Sequence, residues 1–504
     1  MWQIAGKVSV KNLKTVIKLH DLTGFDGRCD AIYFTTEVGK MPPSDVKELE
    51  AFRRQALGLP DEAPVAGEYD LVVVGAGIAG MSAAVSAARL GCRVALINDR
   101  PVVGGNNSSE IRVHLGGRIE EGTYKELGGL QKEFGPEKGG NAQPAEYYED
   151  QKKMDWLAGE KNVSLFLNFR AIGVTKEGDK ITSVIVKHIE SGKELKFEAP
   201  LFSDCTGDGT IGYLAGADYR MGREGRDEYG ESIAPEKADK LTMGSSVQWY
   251  SVDNKKSSPF PEFGYGVEFN DKNCEKVMMG EWTWETGMNF DQIKDFERIR
   301  DYGMLVVYSN WSYLKNRMKE NDQYKNRKLG WVAYVAGKRE SRRLMGDYIL
   351  KEDDITKNVS HEDASFATTW SIDLHWQDPK NSEHFPGNEF KAVTKHILIH
   401  PYAVPYRCLY SRNVDNLFMA GRNISVTHVA LGTVRVMRTT GMMGEVVGMA
   451  ASLCKKYDVT PRGVYRSHLE DLKTLMKEGV NKKGLPNNQR YNEGGMLKDK
   501  PVVQ

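Results

Sequence analysis

The stretch "YDLVVVGAGIAGMSAAVSAARLGCRVALIN", from Tyr69 to Asn98, contains the pattern that decides the fold. An apolar run ends at Val74, a segment of small residues follows the glycine-rich turn, and a second apolar run ends at Ile97. This order predicts a buried strand, a helix and a second buried strand of a parallel sheet. The turn "GAGIAG" fits G-x-G-x-x-G, whose backbone N–H groups and helix N-terminus bind the pyrophosphate of a dinucleotide.

The residue after the second strand is unusual for such a site. Asn98 stands where an acid ordinarily accepts hydrogen bonds from ribose hydroxyls. An amide oxygen still accepts a hydrogen bond, although without charge assistance. We interpret Asn98 as the ribose contact, and Asp99 takes that role if the turn is shifted by one residue.

Further glycine-rich turns follow other predicted strands. Gly104 and Gly105 come after the second strand, "LFSDCTGDGTIG" spans 201–212, and "NLFMAGRNIS" spans 416–425. The sequence contains one dinucleotide fingerprint rather than two, which favours FAD over an enzyme that also carries its own NAD(P)H domain. A helix after the last turn is expected to aim its N-terminus at the flavin and stabilise negative charge there.

Together these segments resemble the FAD-dependent oxidoreductases of the glutathione-reductase-like superfamily, and more narrowly the branch related to heterodisulfide reductases. The motifs that carry the resemblance are "GAGIAG", "NDRPVVGGNNSSEIRVHLGG", "DCTGDGTIGYLAGADYRMGRE", "VAGKRESRRLMGDY", "PYRCLYSRNVDNLFMAGRNIS" and "LGTVRVMRTTGMMGEVVG". The clustered cysteines of true heterodisulfide reductases are absent, so no iron–sulfur function is carried over. We predict no metal site, because the six cysteines form no Cys-x-x-Cys unit.

The resemblance and the turns imply a bound FAD. The expected cofactor-binding residues are Gly75, Ala76, Gly77, Ile78, Ala79, Gly80, Asn98, Asp99, Arg100, Gly104, Gly105, Asn106, Ala171, Cys205, Thr206, Gly207, Asp208, Gly421, Arg422, His428, Gly432, Thr433, Val434 and Arg435.

Four residues are candidates for catalysis, because a flavin oxidoreductase needs a base and cations near the reacting atoms. His114 follows the Gly-Gly turn, and Arg112 shares its face if the segment is an extended strand. His400 and Arg407 flank "PYAVPY", where we expect the substrate domain to return to the FAD domain. Structural roles remain alternatives for all four, including a salt bridge for Arg407.

Three other patterns are open to more than one interpretation. Asp373 and His375 in "SIDLHW" form either a catalytic dyad or part of the pocket wall. The charge run "GKRESRR", 337–343, is typical of a solvated or ion-paired helix face. The tryptophans of the middle region form either the core or a sugar-stacking pocket.

The domain organisation is predicted to be α/β with an α+β substrate domain. We expect a short N-terminal β segment (1–40), similar to the end of a β-sandwich module found in polysaccharide-related proteins. A helical linker (41–67) follows, with Ser44 as its N-cap. A discontinuous Rossmann-like FAD-binding domain (68–215 and 401–504, with C-terminal helices) encloses an inserted mixed-sheet substrate domain (216–400).

Composition excludes some partners. Lys plus Arg and Asp plus Glu both number 69 in the 504 residues, which argues against electrostatic binding of nucleic acid. No apolar run has the length of a membrane span, and no signal peptide is recognisable. The chain as given is expected to be cytoplasmic, or periplasmic or secreted if it is a fragment, and homo-oligomerisation is left open.

Two functions follow from these expectations. The first is an FAD-dependent oxidoreductase that transfers a hydride between flavin N5 and a small polar substrate, with a carbohydrate derivative as the suggested class. The alternative is a carbohydrate-associated binding or accessory protein, or a non-redox lyase, in which FAD is structural.

Overall fold

The structure is a computed structural model that describes residues 2–20, 29, 31–487 and 498. Its strands are β1 (Val65–Glu68), β2 (Leu71–Val74), β3 (Val94–Ile97), β4 (Val163–Phe166), β5 (Phe169–Glu177), β6 (Lys180–His188), β7 (Glu194–Glu198), β8 (Leu201–Asp204), β9 (Tyr219–Arg220), β10 (Ser245–Ser246), β11 (Trp249–Asp253), β12 (Met279–Gly280), β13 (Glu285–Thr286), β14 (Arg327–Val332), β15 (Gly337–Lys338), β16 (Arg343–Leu344), β17 (Ala364–Ala367), β18 (Ile372–Gln377), β19 (Ala392–Ile397), β20 (Ala403–Pro405) and β21 (Leu417–Met419).

The helices pack around and between these strands. They are α1 (Val46–Ala56), α2 (Ile78–Arg89), α3 (Leu130–Phe134), α4 (Asp150–Ala158), α5 (Thr210–Leu214), α6 (Arg226–Tyr229), α7 (Phe296–Asn316), α8 (Asp322–Lys325), α9 (Glu352–Thr356), α10 (Pro379–His384), α11 (His428–Val434), α12 (Met437–Tyr457), α13 (Pro461–Ser467) and α14 (Leu469–Glu478), with short 3₁₀ helices at Ala145–Tyr148 and Tyr406–Cys408.

A five-stranded parallel sheet, in the order β21-β8-β2-β3-β4, forms the centre of the fold. Every residue of β2, β3, β8 and β21 is buried, as the unbroken apolar runs of β2, β3 and β21 predict. The strand β8 ends in the polar pair Ser203 and Asp204. The strand β21 comes from the C-terminal third of the chain and pairs with β8. The predicted strand–helix–strand unit is therefore present, and distant segments complete its sheet.

The middle of the chain differs in detail from the prediction. Instead of one mixed sheet, its strands form small antiparallel sheets, among them β13-β10-β15, β12-β11-β14 and β18-β19. A second hydrophobic cluster, which includes Val247, Trp249, Trp311 and Phe390, lies within this region. The strands are short, and packing of side chains around α7 supplies the core. The predicted domain boundaries stay a prediction.

The prediction of an N-terminal β segment is wrong for the residues that the structure describes. No strand is assigned to 2–20 or 31–40, and most of their apolar side chains, such as Ile4 and Leu13, are exposed. The predicted turn "GFDGR", 24–28, lies outside the described residues. β-Branched residues alone do not make a strand without a partner on either edge. The linker helix is confirmed as α1, although its N-cap is Asp45 rather than Ser44, because the Asp45 carboxylate accepts from the backbone of Lys47 and Glu48.

Within the described residues, no helix is long and apolar enough to span a membrane. The same residues contain no group of three or more His, Cys, Asp and Glu side chains that would hold a metal ion.

Candidate functional site

The glycine-rich turn between β2 and α2 has the contacts that its pattern predicts. A Cβ at Gly75 would lie 2.4 Å from the carbonyl oxygen of Cys205, and one at Gly80 would lie 1.8 Å from the oxygen of Gly75. Both positions therefore exclude a side chain because strand and helix pack closely. Gly77 is the N-cap of α2, makes no side-chain capping bond, and a Cβ there would meet only the Gly105 Cα, at 3.9 Å. The space before the helix N-terminus is open on this side, as a bound phosphate requires.

The second glycine pair closes against this turn. Gly104 donates its N–H to the oxygen of Ala76 at 2.8 Å and forms a parallel bridge with Gly77. Both Gly104 and Gly105 have positive φ, at 100° and 59°, which favours glycine. Two glycine-containing turns thus form one backbone surface, as the prediction of a close approach to the cofactor requires.

Asn98 is not oriented as the ribose contact that we expected. Its Oδ1 accepts from the N–H of Ala76 at 3.1 Å, and its Nδ2 donates to the oxygens of Arg100 and Val102 at 3.1 and 2.8 Å. Both amide hydrogens are used, and the residue is only 7% exposed. Asn98 therefore ties the two turns together, a role that an acid would fill less well because a carboxylate cannot donate to the two carbonyls.

Asp99 is exposed and lies beside several charged groups. Burial raises the pKa of its carboxyl, while Arg170 and Arg100 favour the ionised form. Arg100 itself is engaged elsewhere, in a paired contact with Glu110.

Side chains of helix α4 contact the main chain of the loop that follows β3. The ammonium of Lys153 is fully buried and donates to the oxygens of Asn107, at 2.7 Å, and Tyr148. The carboxylate of Asp150 accepts from the N–H of Ser109 at 3.1 Å. Burial lowers the pKa of Lys153 to about 8. These contacts hold the loop in shape.

The turn after β8 presents one carboxylate to two cations. Asp208 accepts from Lys338 at 2.6 Å, from Arg422 at 2.9 Å and from the Ser341 hydroxyl at 2.8 Å. Burial alone would raise the pKa of Asp208, but Lys338 and Arg422 lower it below its ordinary value. The Nε of Arg422 is buried without a hydrogen-bond partner among the described residues.

The residues at this face fit a dinucleotide. The N-terminus of α2 lacks a side-chain cap, Arg422 has an unused buried donor, and the group of Asp208, Lys338 and Arg422 carries one more positive than negative charge. Gly421 lies beside the first turn of α2, since a Cβ there would be 4.0 Å from that of Ala79. Positive charge and unsatisfied donors at one helix N-terminus are what a pyrophosphate needs.

The other expected cofactor residues occupy varied places. Asn106 donates to the oxygen of Lys338 at 3.1 Å, which ties the loop after β3 to the inserted region. Cys205 packs beneath Gly80, and burial raises the pKa of its thiol to about 12. Ala171 lies in β5, in the sheet β1-β7-β6-β5 rather than in the parallel sheet. All seven residues of α11, including Gly432, Thr433 and Val434, are buried.

The N-terminus of α11 is capped by protein rather than directed at an open space. Thr427 accepts from the N–H of Ala430, and Glu224 accepts from the N–H of His428 at 2.8 Å. The Nδ1 of His428 lies 3.0 Å from both oxygens of Glu340. Protein groups therefore occupy the N-terminus of α11. The longer helix of the predicted segment, α12, begins after Val436, which makes no side-chain capping bond. The expectation that a helix after the last turn aims its N-terminus at the flavin stays a prediction.

Arg112 does not have the free guanidinium that catalysis would require. Its φ is 66°, so the segment is not an extended strand and Arg112 does not share a face with His114. The guanidinium lies 3.9 Å from the ring centroid of Trp331 and donates to the oxygens of Ser109 and Gln143. It fixes the loop against β14. His114 is partly buried, and its Nδ1 lies 2.9 Å from Oδ1 of Asn141.

The two candidates at the end of the inserted region have different surroundings. Arg407 forms a paired salt bridge with Asp363, with both N–O distances 2.9 Å, and packs on the ring of Tyr465. The side-chain bond to Asp363 raises the pKa of Arg407. The structural alternative for Arg407 thus has the support of the contacts. His400 is partly buried, and its Nδ1 has no partner among the described residues.

A group of buried charges that sequence reasoning largely missed lies where α11 packs on β18. We call it the His375 cluster, and it comprises Glu285, Arg339, Asp373, His375 and Arg435. His375 Nδ1 lies 2.7 Å from Oε2 of Glu285, and Arg435 donates to Nε2 of His375 at 2.9 Å. A Cβ on Gly432 would lie 2.7 Å from the N of Asp373, so α11 packs directly on β18.

The charge run 337–343 forms ion pairs, as one of the two predicted alternatives required, but not on a helix. It forms no helix, Arg343 is fully buried against Glu224 and Glu340, and the Arg339 side chain is 10% exposed. The ion-paired alternative is therefore confirmed, whereas the predicted helix and solvated surroundings are wrong. Only the Asp373–His375 pair was visible in the sequence, because the two residues lie on one strand.

The sequence matches a protein-family model described as FAD dependent oxidoreductase over residues 70–476. No curated protein matches the chain. Among solved structures, it is similar to a geranylgeranyl bacteriochlorophyll reductase-like protein of Thermoplasma acidophilum, with 15% identity and a TM-score of 0.34 over 82% of this chain and 83% of that one.

Two further solved structures show the same low level of similarity. A myxobacterial FAD-dependent halogenase of chondrochloren matches with 13% identity and a TM-score of 0.34, over 81% of this chain and 79% of its own. A glycerol-3-phosphate dehydrogenase of Bacillus halodurans, complexed with FAD, matches with 12% identity and a TM-score of 0.25, over 38% of this chain and 41% of the dehydrogenase. The assignment rests on the family match, which covers more than half of the sequence. The chain belongs to the FAD-dependent oxidoreductase family and is an enzyme whose cofactor is FAD.

Proposed function

We propose that this enzyme transfers a hydride between FAD and a small polar substrate. The observation that carries the proposal is the open, uncapped N-terminus of α2 facing the Gly104–Gly105 turn, with the buried polar His375 cluster on the neighbouring segments. The first feature suits a dinucleotide, and the second suits a polar reactant. When bound, FAD supplies an acceptor or donor of hydride at N5.

The proposed cofactor contacts follow the order of the sheet. The N–H groups at the start of α2 and the Gly104–Gly105 turn bind the pyrophosphate. Arg422 donates its unused Nε–H to the same phosphates or to the adjoining chain. Asp99, rather than Asn98, accepts from the ribose hydroxyls, because the Asn98 amide is already bonded to the main chain. The ring then extends toward the loop 104–117.

His114 is the proposed base for the substrate. The backbone N–H of His114 donates to Oδ1 of Asn141 at 3.1 Å, which identifies this atom as an acceptor and places the imidazole proton on Nδ1. Burial lowers the pKa of His114, so the imidazole is neutral and Nε2 is an acceptor at neutral pH. In oxidation of an alcohol, the carbon loses its hydrogen as hydride with two electrons, and the hydroxyl proton passes to Nε2 as the carbonyl forms.

A sugar-derived substrate has less support than a small polar substrate in general. The sequence suggested carbohydrate because of the N-terminal strands, and the described residues there form no strand. The rings of Trp249, Trp284 and Trp311 pack on one another in the core instead of forming a stacking surface. We therefore propose sugars as one group of test compounds among alcohols, hydroxy acids and amines.

The experiment is anaerobic titration of the FAD-loaded protein with these compounds, monitored by the visible absorbance of the flavin. Bleaching by one class, lost in His114→Asn but kept in Arg407→Lys, is expected. If no class of compound and no reductant of the NAD(P)H type changes the flavin spectrum, the chain uses FAD structurally and the alternative accessory or lyase role is favoured.

A further inference from the structure

The His375 cluster joins segments that are distant in sequence into one buried network. Glu285 lies on β13, Asp373 and His375 lie on β18, and Arg435 is the C-cap of α11. Arg339 approaches Glu285 at 3.5 Å and follows Lys338, which contacts both Asp208 and Asn106. Arg339 of the network is therefore adjacent in sequence to Lys338, which contacts Asp208 at the face proposed to bind the cofactor.

The hydrogen bonds determine where the imidazole proton lies. A guanidinium has only donors, so the 2.9 Å contact between Nη2 of Arg435 and Nε2 of His375 requires a lone pair on Nε2. The proton is then on Nδ1, which donates to Oε2 of Glu285 at 2.7 Å. Burial opposes ionisation of Glu285, yet the charge of Arg339 and the hydrogen bond from His375 lower the pKa of this carboxyl. Glu285 therefore keeps His375 oriented as an acceptor for Arg435.

Arg435 is held by one end of its guanidinium. Its Nη2 lies 3.1 Å from the main-chain oxygen of Asp373, 2.9 Å from Oδ2 of Asp373 and 2.9 Å from Nε2 of His375, and these three acceptors share its two hydrogens. Its Nε is buried and, among the described residues, has no hydrogen-bond partner. An unused donor on a buried, anchored cation indicates a missing acceptor, since leaving such a group unpaired is costly.

The charge of the cluster identifies what kind of acceptor is suitable. Glu285 and Asp373 are ionised, because the charges around each lower the pKa against the effect of burial. Arg339 and Arg435 balance them, and His375 is neutral by its hydrogen bonds. A further anion would remain uncompensated in a buried site, whereas an uncharged oxygen would not.

We propose that the Nε–H of Arg435 donates to an uncharged carbonyl oxygen, and that Glu285, His375 and Asp373 are positioning residues for this guanidinium. The oxygen belongs either to the carbonyl form of the substrate or to a carbonyl of the flavin ring, which share the same chemistry. The inference rests on the proposed function only in placing that oxygen in the redox pocket.

The experiment uses the FAD-loaded full chain and two probes of the same shape, acetamide and acetate, with binding followed by the flavin difference spectrum. The midpoint potential of the flavin is measured in parallel. The variants are Arg435→Met, Arg435→Lys, which keeps the charge but not the Nε–H, and the control Arg223→Met, whose arginine pairs with Asp239 elsewhere. None of these measurements requires turnover. A failure of the proposed hydride transfer, tested by the substrate titration, is therefore distinguished from a failure of the proposed Arg435 contact.

Two results support the proposal and separate the sources of the oxygen. Acetamide affinity at least tenfold weaker in both Arg435 variants, with an unchanged midpoint potential, identifies a substrate carbonyl. A lower midpoint potential with unchanged acetamide affinity identifies the flavin carbonyl. The proposal is overturned if both quantities match those of Arg223→Met, or if the wild-type protein binds acetate more tightly than acetamide.

The positioning role has its own readout. His375→Gln retains an oxygen that accepts from Arg435 and an amide that donates to Glu285, whereas His375→Phe retains neither. If acetamide affinity is the quantity that Arg435 controls, we expect His375→Gln to keep it within about threefold of wild type. If the midpoint potential is that quantity, we expect His375→Gln to leave it near the wild-type value. In either case His375→Phe should reproduce the Arg435→Met result. Equal loss in both variants, with Arg435 variants unaffected, would show a purely structural histidine.

Discussion

The turn before α2 and the His375 cluster are built in opposite ways. The turn uses backbone from one short segment, and its three glycines lie close together in sequence. The cluster uses charged side chains from β13, β18, the segment after β15 and the end of α11. Backbone sites depend on local sequence, while side-chain networks depend on tertiary packing. The difference explains why the glycine turn could be predicted from the sequence and the His375 cluster could not.

The largest expected effect separates two glycines of the same turn. In Gly80→Ala the new Cβ overlaps the Gly75 oxygen, at 1.8 Å, and we expect a loss of about 3 kcal/mol or more in the free energy of unfolding. In Gly77→Val the side chain enters the open space instead. We expect near-normal stability but about 100-fold weaker FAD binding, roughly 2.7 kcal/mol.

Thermal unfolding of the apoprotein and fluorescence titration with FAD measure these two quantities. If Gly77→Val binds FAD normally, the phosphates do not lie at the N-terminus of α2, and the backbone site is elsewhere.

The next prediction concerns neighbours with different roles. Asn98→Leu removes bonds to the main chain of Ala76, Arg100 and Val102, and we expect about 2 kcal/mol of destabilisation. Asp99→Ala should leave stability unchanged and weaken FAD binding about tenfold. Urea unfolding and FAD titration of both variants test this. Normal FAD affinity in Asp99→Ala together with weakened FAD binding in Asn98→Leu would show that Asn98, not Asp99, contacts the ribose.

A smaller effect is expected where a side chain supports the backbone site indirectly. Lys153→Met removes the donor to the Asn107 oxygen and also a buried charge, whose desolvation cost offsets part of the loss. We expect about tenfold weaker FAD binding. The control is Lys152→Met, whose side chain is 38% exposed and donates to Gly135. Equal FAD affinities in the two variants would show that α4 does not shape the loop.

The last prediction concerns a pH dependence remote from both regions. Glu445, fully buried in α12, accepts from the N–H groups of Gly128 and Leu130, and burial raises the pKa of its carboxyl to about 8. The folded protein therefore binds an extra proton between the ordinary carboxyl pKa and about 8. Its stability from this group is complete below that interval and falls as pH rises through it, at most about 1.4 kcal/mol per pH unit.

Glu445→Gln should flatten this part of the stability profile. Urea unfolding at several pH values measures the difference between variant and wild type. An unchanged slope would mean that Glu445 is ionised in the folded protein at neutral pH.

The same contrast shows what the sequence can predict. The parallel strands, α2 and the glycine turns follow from unbroken apolar runs and from positions where a Cβ has no room. The N-terminal strands do not follow from β-branched residues, because a strand needs a partner that sequence alone does not provide. Arg112 and Arg407 were chosen by their place in the chain, yet Trp331 and Asp363 engage them through the fold. The partners of Arg339 and Arg435 lie too far away in sequence to be inferred.

A crystal structure of the FAD complex tests the central claim most directly. We predict that the pyrophosphate lies within hydrogen-bonding distance of the N–H groups at the start of α2. The ring system should lie beside the loop 104–117, with the His375 cluster on its border. A pyrophosphate bound away from Gly77, or a ring system separated from Arg435 by an intervening segment of the protein, would contradict it.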